Sequence, residues 1–114
     1  MSFKLEERNN CTIIHFEDPK LDTLNAATLK SEMSSLVDDG KNRLVFDLSK
    51  VSFMESSGMA LLLHTNQICR DSAGKLVNFG AQAPVLKVIT ISQLDKVLSF
   101  TDNEAKAVQL CSEA

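Results

Sequence analysis

Apolar residues along this 114-residue chain switch between a spacing of two and a spacing near 3.6, and the switches divide it into short elements. Phe3 to Arg8 alternates loosely, Asn9-Asn10 is a turn signal, and Cys11 to Phe16 is apolar. This predicts two short strands joined as a hairpin that Pro19 ends. From about Asn25 to Asp39 the period lengthens. Leu29, Met33, Leu36 and Val37 fall on one helical stripe, and Gly40 stands where a left-handed C-terminal cap is wanted. Arg43 to Leu48 is a compact apolar run suited to a buried strand. After Phe53 comes a polar knot, Glu55-Ser56-Ser57-Gly58. A second helix then places Met59, Leu62, Leu63 and Asn66 on one face and closes at Gly74. Lys75 to Phe79 predicts a strand and Pro84 the first turn of a helix through Ile89. Val97 to Phe100 predicts a last strand, and Thr101-Asp102-Asn103-Glu104 caps a helix through about Leu110.

The expected order is β-β-α-β-α-β-α-β-α. Strands alternating with helices imply parallel crossovers, and the opening hairpin adds an antiparallel pair, so an α/β domain with a mixed sheet and about four helices is predicted. At this length the chain, residues 1–114, is one domain, and no linker, repeat or low-complexity segment interrupts it.

Composition removes several classes of function. A formal net charge of −3, with scattered Lys and Arg and no Trp or Tyr, offers neither a basic field nor a stacking platform, so nucleic-acid binding is not expected. The segment MSFKLEERNN lacks a basic region followed by an apolar core, so no secretion signal is expected. The longest apolar run, Met59 to Leu63, is far short of the roughly 20 residues that span a bilayer, and membrane insertion is not expected either. Cys11, Cys69 and Cys111 are odd in number and widely spaced, which points to reduced thiols and a cytoplasmic setting. His15 and His64 have no second ligand nearby in sequence and read as packing or surface residues, so neither a metal nor any other cofactor is expected.

Three chemical readings compete for the polar positions. Glu17-Asp18 and Asp47 imitate the acidic cluster of a two-component receiver. However, Asp47 comes one βα unit too early for a phosphoacceptor, and no Lys-Pro pair occurs near the C-terminus. A serine hydrolase would need a base within about 3 Å of Ser57. His64 lies seven positions along the same helix, about 10 Å away at 1.5 Å rise per residue, and Glu55 occupies the place of the first glycine in a G-x-S-x-G elbow. No enzyme is expected. The third reading makes a serine the target of another protein's chemistry. A helix N-terminus with unpaired N–H groups accommodates an added phosphate, which brings about −1.5 to −2 charges beside Glu55. The plain alternative for Ser56 and Ser57 is helix N-capping, and for Asp22 a complement to the helix dipole.

The run FMESSGMALLL (Phe53 to Leu63) resembles the phosphorylation loop of the STAS domain family, in particular its bacterial anti-sigma factor antagonists. Their loop commonly reads Asp-Ser-Ser/Thr-Gly before an apolar helix. Lys20-Leu21-Asp22 with Ala27 and Leu29, Arg43-Leu-Val-Phe-Asp-Leu-Ser, and Pro84-Val-Leu-Lys-Val-Ile extend the resemblance over nearly the whole chain. The resemblance implies a single STAS-like domain that binds an anti-sigma factor which is also a serine kinase, and so releases a sigma factor to regulate transcription. Phosphorylation ends the binding, and a PP2C-like phosphatase restores it. By position it implies Ser57 as phosphoacceptor, with Asp22, Glu55, Ser56, Ser57, Gly58 and Met59 at the partner surface, although the residues themselves read Met59 as core. Glu55 departs from the usual Asp, Lys20 from the small residue before Leu-Asp, and Met59-Ala60 from Leu-Gly. The alternative within the family is an unphosphorylated scaffold, or a subunit of a larger assembly such as a lipid-transport complex.

Overall fold

A computed structural model describes residues 3–113. The hairpin forms as expected: β1 (Phe3–Arg8) pairs antiparallel with β2 (Cys11–Phe16), Phe3 opposite Phe16 and Arg8 opposite Cys11. Asn9 and Asn10 both take positive φ, 51° and 71°, the left-handed pair that a two-residue turn requires and that Asn tolerates better than most residues. Next come β3 (Lys20–Leu21), α1 (Thr23–Asp38), β4 (Arg43–Asp47), β5 (Phe53–Met54) and α2 (Ser56–Asp71). The chain ends with β6 (Lys75–Phe79), α3 (Ala83–Ile91), a 3-10 turn (Leu94–Lys96), β7 (Ser99–Thr101) and α4 (Glu104–Ser112).

The main sheet runs β1-β2-β4-β6-β7. It is mixed: β2, β4, β6 and β7 are parallel, and β1 adds the antiparallel edge. Period-two alternation sends neighbouring residues to opposite faces. Ile14, Phe16, Leu44, Phe46 and Leu76 join Leu29, Met33, Leu61, Leu62, Val85 and Ile89 of α1, α2 and α3 in the larger core. Ile13, Val45, Val77 and Phe79 face the other way and pack on Ala107, Val108 and Cys111 of α4. The Phe16 and Phe46 rings meet edge to face at 4.9 Å.

Three local expectations are corrected. The buried side of α2 is Gly58, Leu61, Leu62, Thr65, Asn66 and Cys69, so Leu62 and Asn66 are placed as expected but Leu63 is 37% exposed. The second helix ends at Asp71, short of the expected close at Gly74: the left-handed residue after it is Ala73 (φ 61°), and Gly74 is needed because any Cβ there would collide with the Asn42 backbone. The last strand begins at Ser99, because Leu94–Lys96 coil into the 3-10 turn and Val97 closes it.

Two strands were not anticipated. β3 and β5 pair in parallel as a separate two-stranded sheet, Lys20 beside Phe53 and Leu21 beside Met54. Around this seam Ser52 and Phe53 donate backbone N–H bonds to Pro19 O (2.8 and 3.1 Å), and Glu55 N–H donates to Leu21 O (2.9 Å). The seam sets the first turns of α1 and α2 side by side.

Candidate functional site

The site is built where those two helices begin. Asp22 holds the N-cap of α1 in extended conformation, and its carboxylate accepts the N–H groups of Leu24 (3.0 Å) and Asn25 (3.3 Å). Asn25 Oδ1 reaches back to the Asp22 N–H (3.0 Å), and Asn25 Nδ2 donates to Lys20 O (2.8 Å). This is a reciprocal capping box, which stabilises a helix end by satisfying donors that have no partner within the helix. Asp22 therefore has structural work. The Asp-x-x-Asn spacing from Asp22 to Asn25 was a readable signal for it.

The mouth of α2 is built differently. Glu55 occupies the N-cap, but its side chain makes no bond to its own helix. Glu55 Oε1 instead crosses to α1, accepting from the Thr23 N–H at 3.1 Å and lying 3.4 Å from Thr23 Oγ1. Ser56, the first helical residue, is exposed. Ser57, the second, is half-buried; its hydroxyl oxygen is covered and makes no hydrogen bond. Neither serine caps α2, so the capping alternative does not account for them. Nor is the Ser57 hydroxyl open on the surface as a helix-mouth position suggests.

Gly58 is buried beneath this turn. A Cβ there would lie 2.8 Å from Leu21 Cβ, Leu21 O and Met54 Cγ, so only glycine lets α2 start this close to the β3–β5 seam. Met59 is half-buried against the core, with its sulfur 3.6 Å from Ser92 Oγ at the end of α3. Of the six expected surface residues, the structure therefore clusters Asp22, Glu55, Ser56 and Ser57 at the exposed mouths. Gly58 shapes the site from beneath, and Met59 supports it from the core. Leu24 sits beside Asp22 and is 90% exposed, a large apolar side chain with nothing over it, and sequence reasoning did not single it out.

Among the described residues no catalytic base bonds either serine. His64 Nε2 lies 3.3 Å from Ser34 Oγ on α1. His15, expected to lack neighbouring ligands, stands instead between two carboxylates, with Nδ1 2.6 Å from Asp47 and Nε2 2.9 Å from Glu6. Burial alone would lower the His15 pKa, but the bonds to Asp47 and Glu6 outweigh it and leave it raised. Burial raises and the bonds from Ser49 and His15 lower the pKa of Asp47, with a net fall. Glu6, His15 and Glu104 bring three possible metal-ligand atoms within 4.8 Å. Arg8 already spans Glu6 (2.9 Å) and Glu104 (2.6 Å), so the group is an ion-pair network tying β1, β2, β4 and α4. The three cysteines are buried free thiols, and burial pushes Cys69 up to about 12, far from a reactive thiolate. Among the described residues no helix is long and apolar enough to cross a membrane.

Comparison with known proteins gives a consistent picture. The STAS domain family model matches residues 2–107. The chain is 31% identical over 72 residues to BtrV of Bordetella bronchiseptica, designated a candidate anti-sigma factor antagonist; the match covers 63% of this chain and 62% of that one. The chain thus spans about three fifths of the length of that curated relative. An anti-sigma factor antagonist from Mycobacterium paratuberculosis superposes with a TM-score of 0.86 at 21% identity, covering 98% of this chain and 94% of the other. The Bacillus cell-fate determinant SpoIIAA, solved in its phosphorylated form, superposes with a TM-score of 0.72 at 22% identity, covering 96% and 98%. At these identities the two structures bear on the fold.

Proposed function

This chain belongs to the STAS domain family, and from that premise we propose that it is an anti-sigma factor antagonist. Its contact surface is the paired mouths of α1 and α2, and phosphorylation of Ser57 turns that surface off. The observation that carries the reading is the idle hydroxyl. Ser57 sits in the first turn of α2, where a serine could cap or bond, yet its Oγ does neither. A covered hydroxyl without a partner costs on the order of 1–3 kcal/mol, so a structural role gives no reason to keep it. A role in modification does.

The partner supplies the chemistry. Ser57 Oγ attacks the terminal phosphorus of a nucleoside triphosphate held by a kinase-type anti-sigma factor. The new O–P bond forms as the P–O bond to the nucleoside diphosphate breaks, and the hydroxyl proton passes to a base of the kinase. The phosphate meets the N–H groups and positive dipole end of α2, and the fold tolerates it. For a partner resting on Leu24, Ser56 and the acids around them, the same group is a new dianion in the contact. A like charge or a desolvated carboxylate there costs several kcal/mol. A PP2C-like phosphatase reverses the change by hydrolysing the phosphoester. The protein itself has no enzymatic role in this cycle.

One observation favours a second reading. The Ser57 hydroxyl is covered, as it would be in an unphosphorylated STAS module that serves as a scaffold or as a subunit of a larger assembly. Incubation of the protein with a co-encoded kinase-like partner and labelled ATP separates the two. The switch predicts label on wild type, none on Ser57→Ala, and none on wild type without the partner. Label on Ser57→Ala, or no label on wild type with partner present, contradicts it.

A further inference from the structure

We infer that Glu55 is a tie between the two helix mouths and that charge on Ser57 breaks it, so that the switch at α2 is also felt by the Asp22–Leu24 end of α1. The inference rests on the reading of Ser57 as phosphoacceptor. Its starting point is the contrast between two acids in equivalent places. Asp22 and Glu55 both hold N-caps in extended conformation, yet Asp22 bonds its own helix while Glu55, one methylene longer, bonds the neighbouring one.

The geometry makes that crossing consequential. The first-turn donors of α1 are distributed completely: Leu24 and Asn25 N–H go to the Asp22 carboxylate, Ala26 N–H to Asp22 O (2.9 Å), and Thr23 N–H to Glu55 alone. Without Glu55 the first N–H of α1 loses its acceptor. In return, the carboxylate that would cap the mouth of α2 is engaged elsewhere: the Gly58 and Met59 N–H groups turn to Glu55 O (3.0 and 3.1 Å), and no side chain caps the first turn.

A phosphoryl group on Ser57 sits two residues beyond Glu55, about 3 Å further along the helix axis at 1.5 Å per residue. A dianion added in the first turn of α2 repels the Glu55 carboxylate at its N-cap, and the bond it weakens is a charge-assisted one to an exposed backbone donor. Glu55 leaves Thr23, the entry to α1 loses one of its fastenings, and Leu24, next in sequence and fully outside, loses its fixed placement. Phosphorylation then acts twice on the partner surface, by adding charge at α2 and by releasing the apolar contact at α1. Glu55 is a positioning residue in this scheme. It meets the partner's demand through Thr23.

The test is amide NMR on the full chain, with Ser57→Glu as the charge probe. The Thr23 amide proton, bonded to a carboxylate in the wild type, is expected to move upfield in Ser57→Glu and in Glu55→Ala by similar amounts. The double variant is expected to add nothing at Thr23. Glu55→Gln supplies the discriminating arm, because the amide oxygen still accepts from Thr23 but carries no charge to repel. In Glu55→Gln, adding Ser57→Glu is expected to leave Thr23 in place. Titrated with the kinase-type partner, the Glu55→Gln, Ser57→Glu protein is expected to bind about tenfold more tightly than Ser57→Glu alone, a difference of about 1.4 kcal/mol. A Thr23 amide that ignores Ser57→Glu, or that moves equally in the Glu55→Gln background, overturns the tie. Unchanged partner affinity in Ser57→Glu despite a moving Thr23 overturns the reading of Ser57 instead, so the two failures are distinct.

Discussion

The two helix mouths at the β3–β5 seam use nearly the same residue types for opposite ends. At α1, one acid, one amide and a borrowed carboxylate satisfy the first-turn donors, and nothing is left over. At α2, the acid is turned away, two serines contribute no cap, and one hydroxyl is covered without a partner. The first arrangement favours stability. The second gives up a cap that is typically worth about 1 kcal/mol and leaves the helix end without a side-chain acceptor beside a serine that bonds nothing. A stretch of protein that leaves local stability unused is where a functional demand is expected to have overridden it.

The comparison can be broken most severely at its base. Gly58→Ala forces a methyl group to within 2.8 Å of Leu21 and Met54, and overpacking of this kind costs about 1–3 kcal/mol. Chemical denaturation is expected to show that loss, and unchanged stability would mean that the seam does not hold α2 rigidly. The next effect is at α1. Asp22→Ala removes the capping box and is expected to cost about 1 kcal/mol in the same assay.

A smaller effect comes from the His15 network on the α4 face of the sheet, which shares no hydrogen bond or ion pair with Asp22, Glu55 or Ser57 among those described. The folded-state pKa of His15 is raised above its unfolded value near 6.5. Its contribution is therefore fully present below about pH 6.5 and is lost as pH rises through the raised folded value. Stability is expected to decline over that window in the wild type and to decline less in His15→Gln. An identical pH profile for the two proteins would remove His15 from the network. The smallest effect is the most informative. Ser57→Ala is expected to leave stability unchanged or slightly increased, since it deletes an unpartnered hydroxyl and alanine is the better helix former. A loss near that of Asp22→Ala would make Ser57 a cap after all.

Long periodic segments were legible in the sequence. The hairpin, α1, β4 and β6 each carry enough alternating or helical positions to declare themselves, and the Glu55-Ser56-Ser57-Gly58 knot marked the start of α2. The β3–β5 pair was not legible, because two residues such as Lys20-Leu21 or Phe53-Met54 cannot show a period. That pair is what joins Asp22 and Thr23 to Glu55 across more than thirty positions, so the Glu55–Thr23 bond was invisible with it. The buried stripe of α2 was misread for a different reason. It contains Gly58, Thr65 and Cys69, small or polar residues that a count of large apolar positions passes over, and Leu63 was taken in their place. His15 looked solitary because its partners lie 9 and 32 positions away and meet it only through strand pairing.

The central claim is that the chemical state of Ser57 decides whether the paired mouths bind their partner, and one titration addresses it directly. The kinase-type partner is titrated by calorimetry against the unmodified protein and against protein phosphorylated at Ser57, with thermal melts confirming that both are folded. The account predicts an affinity lower by at least a hundredfold for the phosphorylated form, about 2.8 kcal/mol, with little change in melting temperature. Equal affinity of the two forms would contradict it.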